Sequence, residues 1–226
     1  ALLQLRAEGA GDPFEKKTIL RQLAETHEQG RGNAHAAFDT LRQALAEDSS
    51  DEDVPNDIER LAGSLGLWAA AADTFMARAS ASLDPLVGRG LFVRTARIAE
   101  EHLGDDHRAV TATQRALEQV GDEPELLATL DRLHEKTQNW SSLGEVLERR
   151  VSSADDPQER IALLLRLGAL RNQRFEDLRG AFAAYQEVVE TEPGNAVALG
   201  VLESLTHSPA LATHVVDALD TPYRAE

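Results

Sequence analysis

The sequence predicts an all-α fold, a solenoid of antiparallel helix hairpins, and three observations carry the prediction. The dipeptide Asp-Pro recurs at Asp12-Pro13, Asp84-Pro85 and Asp156-Pro157, at the same interval both times. Apolar residues return at helical spacing, as in Leu126, Leu127, Leu130 and Leu133, and not in the alternation of a strand. The composition is rich in the helix formers alanine, leucine, arginine and glutamate, and only 4% of residues are aromatic.

Shifted by that interval, the chain aligns with itself from residue 12 onward without a gap. Asn33, Asp105 and Asp177 fall together, as do Ala37, Ala109 and Ala181, and Ile58, Leu130 and Leu202. Leu61, Leu133 and Leu205 coincide, and Trp68 meets Trp140. Three tandem copies are therefore expected, at 12–83, 84–155 and 156–226, making one solenoid of about twelve helices over 1–226. Each copy reads as four helices. The first opens on Asp as N-cap with Pro at the first helical position, where a missing N–H costs nothing. Glu15 and Glu159 stand three places on, as in a capping box. The second is capped by Asn33, Asp105 or Asp177, and the third follows "EDSSDED", "VGDEPE" and "TEPGNA", with Asp51, Glu123 and Asn195 in the cap column. The fourth starts near Trp68, Trp140 and Ala212. The expected helices of the first copy are 13–31, 34–48, 52–65 and 68–82, with equivalents in register in the second and third. Residues 1–11 align with the end of the fourth helix, through Leu3, Phe75 and Leu147, and Arg6, Arg78 and Arg150. They read as the last helix of a truncated preceding repeat, so a longer parent chain is expected.

A shorter register lies within each copy. The steps from Ala37 to Ala71, Ala109 to Leu143 and Ala181 to Val215 are equal, and the intervening steps, Ala71 to Ala109 and Leu143 to Ala181, are longer. "AFAAYQEVVETEPGN", through Ala181, Tyr185, Val188 and Pro193, resembles the second helix of the tetratricopeptide (TPR) repeat. "AAFDTLRQALAED" follows it through Ala37, Leu41 and Ala44 without the proline, and Thr113 takes the aromatic slot in "AVTATQRALEQVG". The Leu-Gly pair of the first helix is present at Leu167-Gly168, while Leu23-Ala24 and Thr95-Ala96 stand in elsewhere. One extra residue separates this close-approach site from the alanine column. The chain is thus similar to a divergent TPR protein over nearly its whole length. The resemblance implies a right-handed superhelix with a concave groove, each hairpin covering its neighbour's apolar side.

Composition and motifs exclude several function classes. A net charge of −16 opposes the basic footprint that nucleic acid needs. No run is long and apolar enough to insert in a membrane. There is no cysteine for disulfides, thiolate metal sites or nucleophilic catalysis, and its absence suits both cytoplasm and periplasm, the cytoplasm being the expected setting. Seven histidines (27, 35, 102, 107, 134, 207 and 214) form no H-E-x-x-H pattern, and neither a nucleophile elbow nor a phosphate loop is present. No enzyme, cofactor or metal site is expected. Trp68 and Trp140 read as packing wedges between hairpins.

The expected function is a non-catalytic scaffold that binds a peptide or protein segment. First helices line the groove in the family resembled. The resemblance therefore places Arg21, Glu25, Arg97, Glu101, Asn172 and Gln173 near the concave face, with Arg60 and Arg132 on third helices. Their guanidiniums would contact carboxylates or backbone of the partner. The alternative is a structural spacer or self-assembly element that stacks end to end without a groove ligand.

Overall fold

The computed structural model describes residues 2–30, 32–50, 52–208 and 211–224, with side chains placed as far as residue 220. The described residues contain thirteen α-helices and no strand. They form two compact units, Ala1–Gly121 and Asp122–Glu226. The first holds α1 (Leu2–Gly9), α2 (Pro13–Glu25), α3 (Ala34–Glu47), α4 (Asp53–Leu65), α5 (Trp68–Ala81), α6 (Pro85–Ile98) and α7 (Asp106–Val120). The second holds α8 (Pro124–Lys136), α9 (Trp140–Ser153), α10 (Pro157–Arg174), α11 (Leu178–Thr191), α12 (Ala196–Leu205) and α13 (Ala212–Arg224). Within each unit every helix packs on the next through a short turn, which makes neighbours antiparallel.

The helix starts obey the cap chemistry of the sequence. Asp12 accepts from the Glu15 N–H at 3.2 Å, Asp84 from Leu86 at 2.9 Å and Asp156 from Glu159 at 3.1 Å. Asn33, Asp105 and Asp177 do the same for Ala36, Arg108 and Gly180 at 2.9–3.0 Å. Each such cap stabilises its helix by about 1 kcal/mol. Among the described residues at the starts of the third helices, Asn195 is the one whose side chain caps, through the Ala198 N–H at 3.1 Å. Glu123 makes no side-chain cap, and Pro124 alone marks that boundary. Asp51 lies outside the described residues, and α4 begins later than expected, at Asp53 behind an uncapping Glu52.

In two of the three copies a π-turn lies between the close-approach site and the alanine column, where the extra residue falls. Helix α2 runs on into a π-turn at Thr26–Gly30 and α6 into another at Ala99–Leu103, whereas α10 stays α-helical to Arg174. A π-turn takes in one residue without breaking the helix. All three segments then reverse through a left-handed residue in the same register, Gly32 (φ 62°), Gly104 (φ 63°) and Glu176 (φ 53°). The next N–H reaches back to the same place each time, Asn33 to His27, Asp105 to Ala99 and Asp177 to Arg171, at 2.8–2.9 Å.

The core of the first unit is built on Phe38, Phe75 and Phe92, each nearly inaccessible, with Leu45, Ile58, Leu61 and Ile98. That of the second is aliphatic around one phenol, with Leu147, Leu164, Leu167, Tyr185, Val188 and Leu202. The small columns let backbones approach. Ala37, Ala109 and Ala181 are wholly buried, and a Cβ on Gly168 would lie 2.9 Å from the Tyr185 ring. Where the Tyr185 register carries Leu41 or Thr113, the Gly168 register carries Ala24 or Ala96. Gly168 with Tyr185 and Ala24 with Leu41 thus keep the paired volume nearly constant, whereas Ala96 with Thr113 fills less space.

Candidate functional site

The first and third helices of the first unit, α2, α4 and α6, are joined by arginine–carboxylate pairs. From α2, Arg21 donates to Asp53 at 2.9 Å and lies 3.5 Å from Asp57 on α4. From α4, Arg60 grips Glu28 with both terminal nitrogens, at 2.6 and 2.8 Å, and also lies 3.5 Å from Asp57. The Arg60 bonds hold the Glu28 carboxyl below the usual carboxylate range. From α6, Arg97 donates to Glu59 at 2.5 Å and approaches Glu101 at 3.7 Å. Arg94, just beside it, bonds Glu59 at 2.7 Å, Asn56 at 2.8 Å and also Glu52.

The structure therefore brings Arg21, Arg60, Arg97 and Glu101 into linked ion-pair networks on one unit. Glu25 is exposed on α2 of the same unit. Arg132, Asn172 and Gln173 belong to the second unit, on α8 and α10, where Arg132 and Gln173 are exposed and Asn172 is half-buried. Arg21, Arg60 and Arg97 are not vacant donors, since each already holds a carboxylate of its neighbouring helix. Their side chains nonetheless stay 31% (Arg21), 53% (Arg60) and 42% (Arg97) exposed, although the Arg21 Nε is itself buried without a hydrogen-bond partner. Exposed pairs of this kind contribute about 0–1 kcal/mol each, so orientation matters more here than stability.

The strongest pair is one the sequence did not single out. Asp131 on α8 is 2% exposed and receives both terminal nitrogens of Arg166 from α10, at 2.8 and 2.7 Å, together with Arg150 from α9. These bonds raise the Arg166 pKa above its ordinary value. Arg94–Glu59 makes the same contact one copy earlier. The available signal was an acid and an arginine at one fixed separation, Glu59 with Arg94 and Asp131 with Arg166, returning in register in successive copies. Arg60 and Arg132, next to those acids in sequence, are the more conspicuous residues and masked it.

The tryptophans sit where packing wedges would. Trp68 stacks on His102 with ring centroids 3.7 Å apart and planes 4° from parallel, and it closes over Gly63, where a Cβ would meet it at 3.2 Å. Trp140 has the Arg174 guanidinium 4.5 Å above its ring. His102 and Arg174 share a register, so the wedge and its lid recur together.

Clefts open between alternate helices. Helices α3 and α5 meet only narrowly, leaving a cleft of about 790 Å³ with Leu45, Ala46, Ala77 and Ala81 on the floor and Asp39, Arg42, Asp73 and Arg78 around it. Another of about 480 Å³ lies between α11 and α13 of the second unit. Among the described residues no three His, Asp or Glu side chains are grouped to hold a metal ion, and no helix is long and apolar enough to cross a membrane.

No family model matches the chain, and no curated protein matches it. Solved structures do. A tetratricopeptide repeat protein from Parabacteroides merdae is 12% identical over 95% of this chain and 80% of its own, with a TM-score of 0.43. YrrB, described as a TPR protein with an unusual peptide-binding site, is 14% identical over 82% and 91%, with a TM-score of 0.41. The TPR2AB domain of yeast Sti1, solved in complex with pHSP90, is 13% identical over 92% and 91%, with a TM-score of 0.38.

Proposed function

We propose that this chain is a divergent TPR-like helical-repeat protein that serves as a non-catalytic interaction scaffold, and that the face of the first unit formed by α2, α4 and α6 binds a polypeptide segment. The observation that carries this reading is the set of guanidiniums at Arg21, Arg60 and Arg97. Each is fixed by a carboxylate of the next helix and is still part-exposed. Pairing prevents the long side chains from losing their freedom at the moment of binding, so the remaining N–H groups are preorganised donors for a ligand's carbonyls or carboxylates. Glu25 and Glu101, exposed on the same unit, would accept from ligand amides.

The test is site-directed crosslinking. A photoreactive residue at exposed Gln22 on α2 should capture the partner, and one at exposed Gln114 on α7 should not. Arg60→Ala with Arg97→Ala should weaken that capture while helicity is kept, and undiminished capture by the folded double variant would count against the face. The spacer alternative draws support from Leu2 and Leu5, 73% and 66% exposed on α1. It requires concentration-dependent association in sedimentation that Leu2→Ser with Leu5→Ser abolishes.

A further inference from the structure

The two clefts described above occupy equivalent registers, in the first and third copies, and they differ in charge. In the first unit Arg42 lies in the cleft, donating to Thr74 across it at 2.8 Å, with its guanidinium 5.9 Å from the Phe38 ring. Asp39 and Asp73 are thereby balanced by Arg42 and Arg78, and Asp73 also receives Arg108 at 2.7 Å. In the second unit the ring remains, as Phe182, and so does one acid, as Asp217. The arginine does not. Gln186 stands in the Arg42 register and Ala183 in that of Asp39, while Glu190 replaces Ala46, so the cleft between α11 and α13 keeps two carboxylates and loses the Arg42 cation.

The remaining surface suits a side chain with an apolar stem and a cationic head. Val189, Pro193 and Ala218 provide the apolar lining, and Phe182 and His214 form an aromatic corner with centroids 6.5 Å apart at 65°. Glu190 is exposed on one wall and accepts only the Gln186 amide, at 2.9 Å, among the described residues. Asp217 is exposed on the other wall and makes no ion pair among the described residues. A volume of about 480 Å³ is within the range of side-chain and small-ligand pockets.

We infer that the cleft between α11 and α13 docks an arginine-bearing polypeptide segment, the partner supplying the guanidinium that Arg42 supplies in the first unit. The stem would lie on Val189 and the Phe182 ring, and the head would reach Asp217 and Glu190. This surface is distinct from the face of α2, α4 and α6, and either can fail without the other.

The probe is a fluorescein-labelled Ser-Arg-Leu-Arg-Ser peptide, followed by polarisation at pH 7.5 against the full chain, with a twin in which citrulline replaces arginine. Citrulline keeps the shape and removes the charge. The arginine peptide should bind saturably and more tightly than its twin. Glu190→Gln with Asp217→Asn should weaken it about fivefold or more, the loss of one to two surface-type ion pairs. Gln186→Arg, which restores the first unit's arrangement, should weaken it comparably with no loss of thermal stability. Glu118→Gln with Glu145→Gln removes the same two charges elsewhere and should change binding less than twofold. The inference is overturned by an absence of saturable binding, by equal affinity for the citrulline twin, or by indifference to both cleft variants. Equal weakening by the Glu118/Glu145 control would assign binding to the general acidic field and overturn it too. Self-association of the free chain that Gln186→Arg abolishes would give the cleft to a second copy instead.

Discussion

Removing the Asp131 carboxylate is the most direct test of how successive hairpins are fastened. Asp131 is buried and pairs with two arginines from two other helices, α9 and α10. Breaking a buried pair from one side costs about 3–5 kcal/mol, because the partner's charge is left without compensation. Here the arginines are not wholly stranded. Arg166 is 40% exposed and reaches Glu135 at 3.1 Å, and Arg150 is 18% exposed and reaches Glu159 at 3.1 Å. The expected cost of Asp131→Ala therefore falls to about 2–3 kcal/mol, and that of the isosteric Asp131→Asn to about half as much. The chain carries its own reporter, since Trp140 lies in the second unit and Trp68 in the first. Urea unfolding of a Trp68→Phe background, followed by Trp140 emission, reads the second unit alone. A double-mutant cycle with Arg166→Ala should give a coupling of about 1 kcal/mol or more. A large loss in Asp131→Ala with no coupling to Arg166 would mean that the carboxylate only fills space, and the fastening account would be wrong.

Three further outcomes are expected. Gly168→Ala pushes a methyl group to 2.9 Å from the Tyr185 ring and should cost about 1–3 kcal/mol, and adding Tyr185→Leu, which reproduces the Ala24/Leu41 pairing, should recover most of it in thermal melts. Glu176→Gly should stabilise by about 0.5–1 kcal/mol in urea titrations, because Glu176 holds the left-handed conformation that Gly32 and Gly104 hold elsewhere. Burial raises the Asp48 carboxyl, but bonds from Lys17 and Ser50 outweigh it and bring it from 3.8 to about 2. A depressed carboxylate contributes stability above its unfolded value and loses it as pH falls through the folded one, so about 2 kcal/mol should disappear between pH 4 and pH 2. Melting of Asp48→Asn over the same pH range should lack that component.

Helix order was readable because its causes are local. A cap such as Asp84 and a proline such as Pro85 act on the next turn alone, so their regular return marks helix starts directly. The start of α4 was less legible, because three acids in a row, Asp51, Glu52 and Asp53, gave no means of choosing which precedes it. The candidate site was legible only in part. Arg21, Arg60, Arg97 and Glu101 fall on the expected helices of one unit. Their pairing with Asp53, Glu28 and Glu59 depends on side chains a whole hairpin away along the chain, and no local rule ranks one acid above another. The clefts were invisible, since a cleft is defined by how narrowly α3 and α5 meet.

The sequence by itself determined the all-helical class, the repeat interval, the helix starts and the small columns where backbones approach. These are set by backbone capping, period and volume, each of which acts within a turn or repeats in register. Only the tertiary structure decided which arginine meets which carboxylate, that Lys17 and Asp131 are buried and neutralised, and that the Arg42 cleft has a counterpart without its cation. Those outcomes depend on distances between helices, and electrostatic partners are chosen by proximity in space, which the order of residues along a chain leaves open.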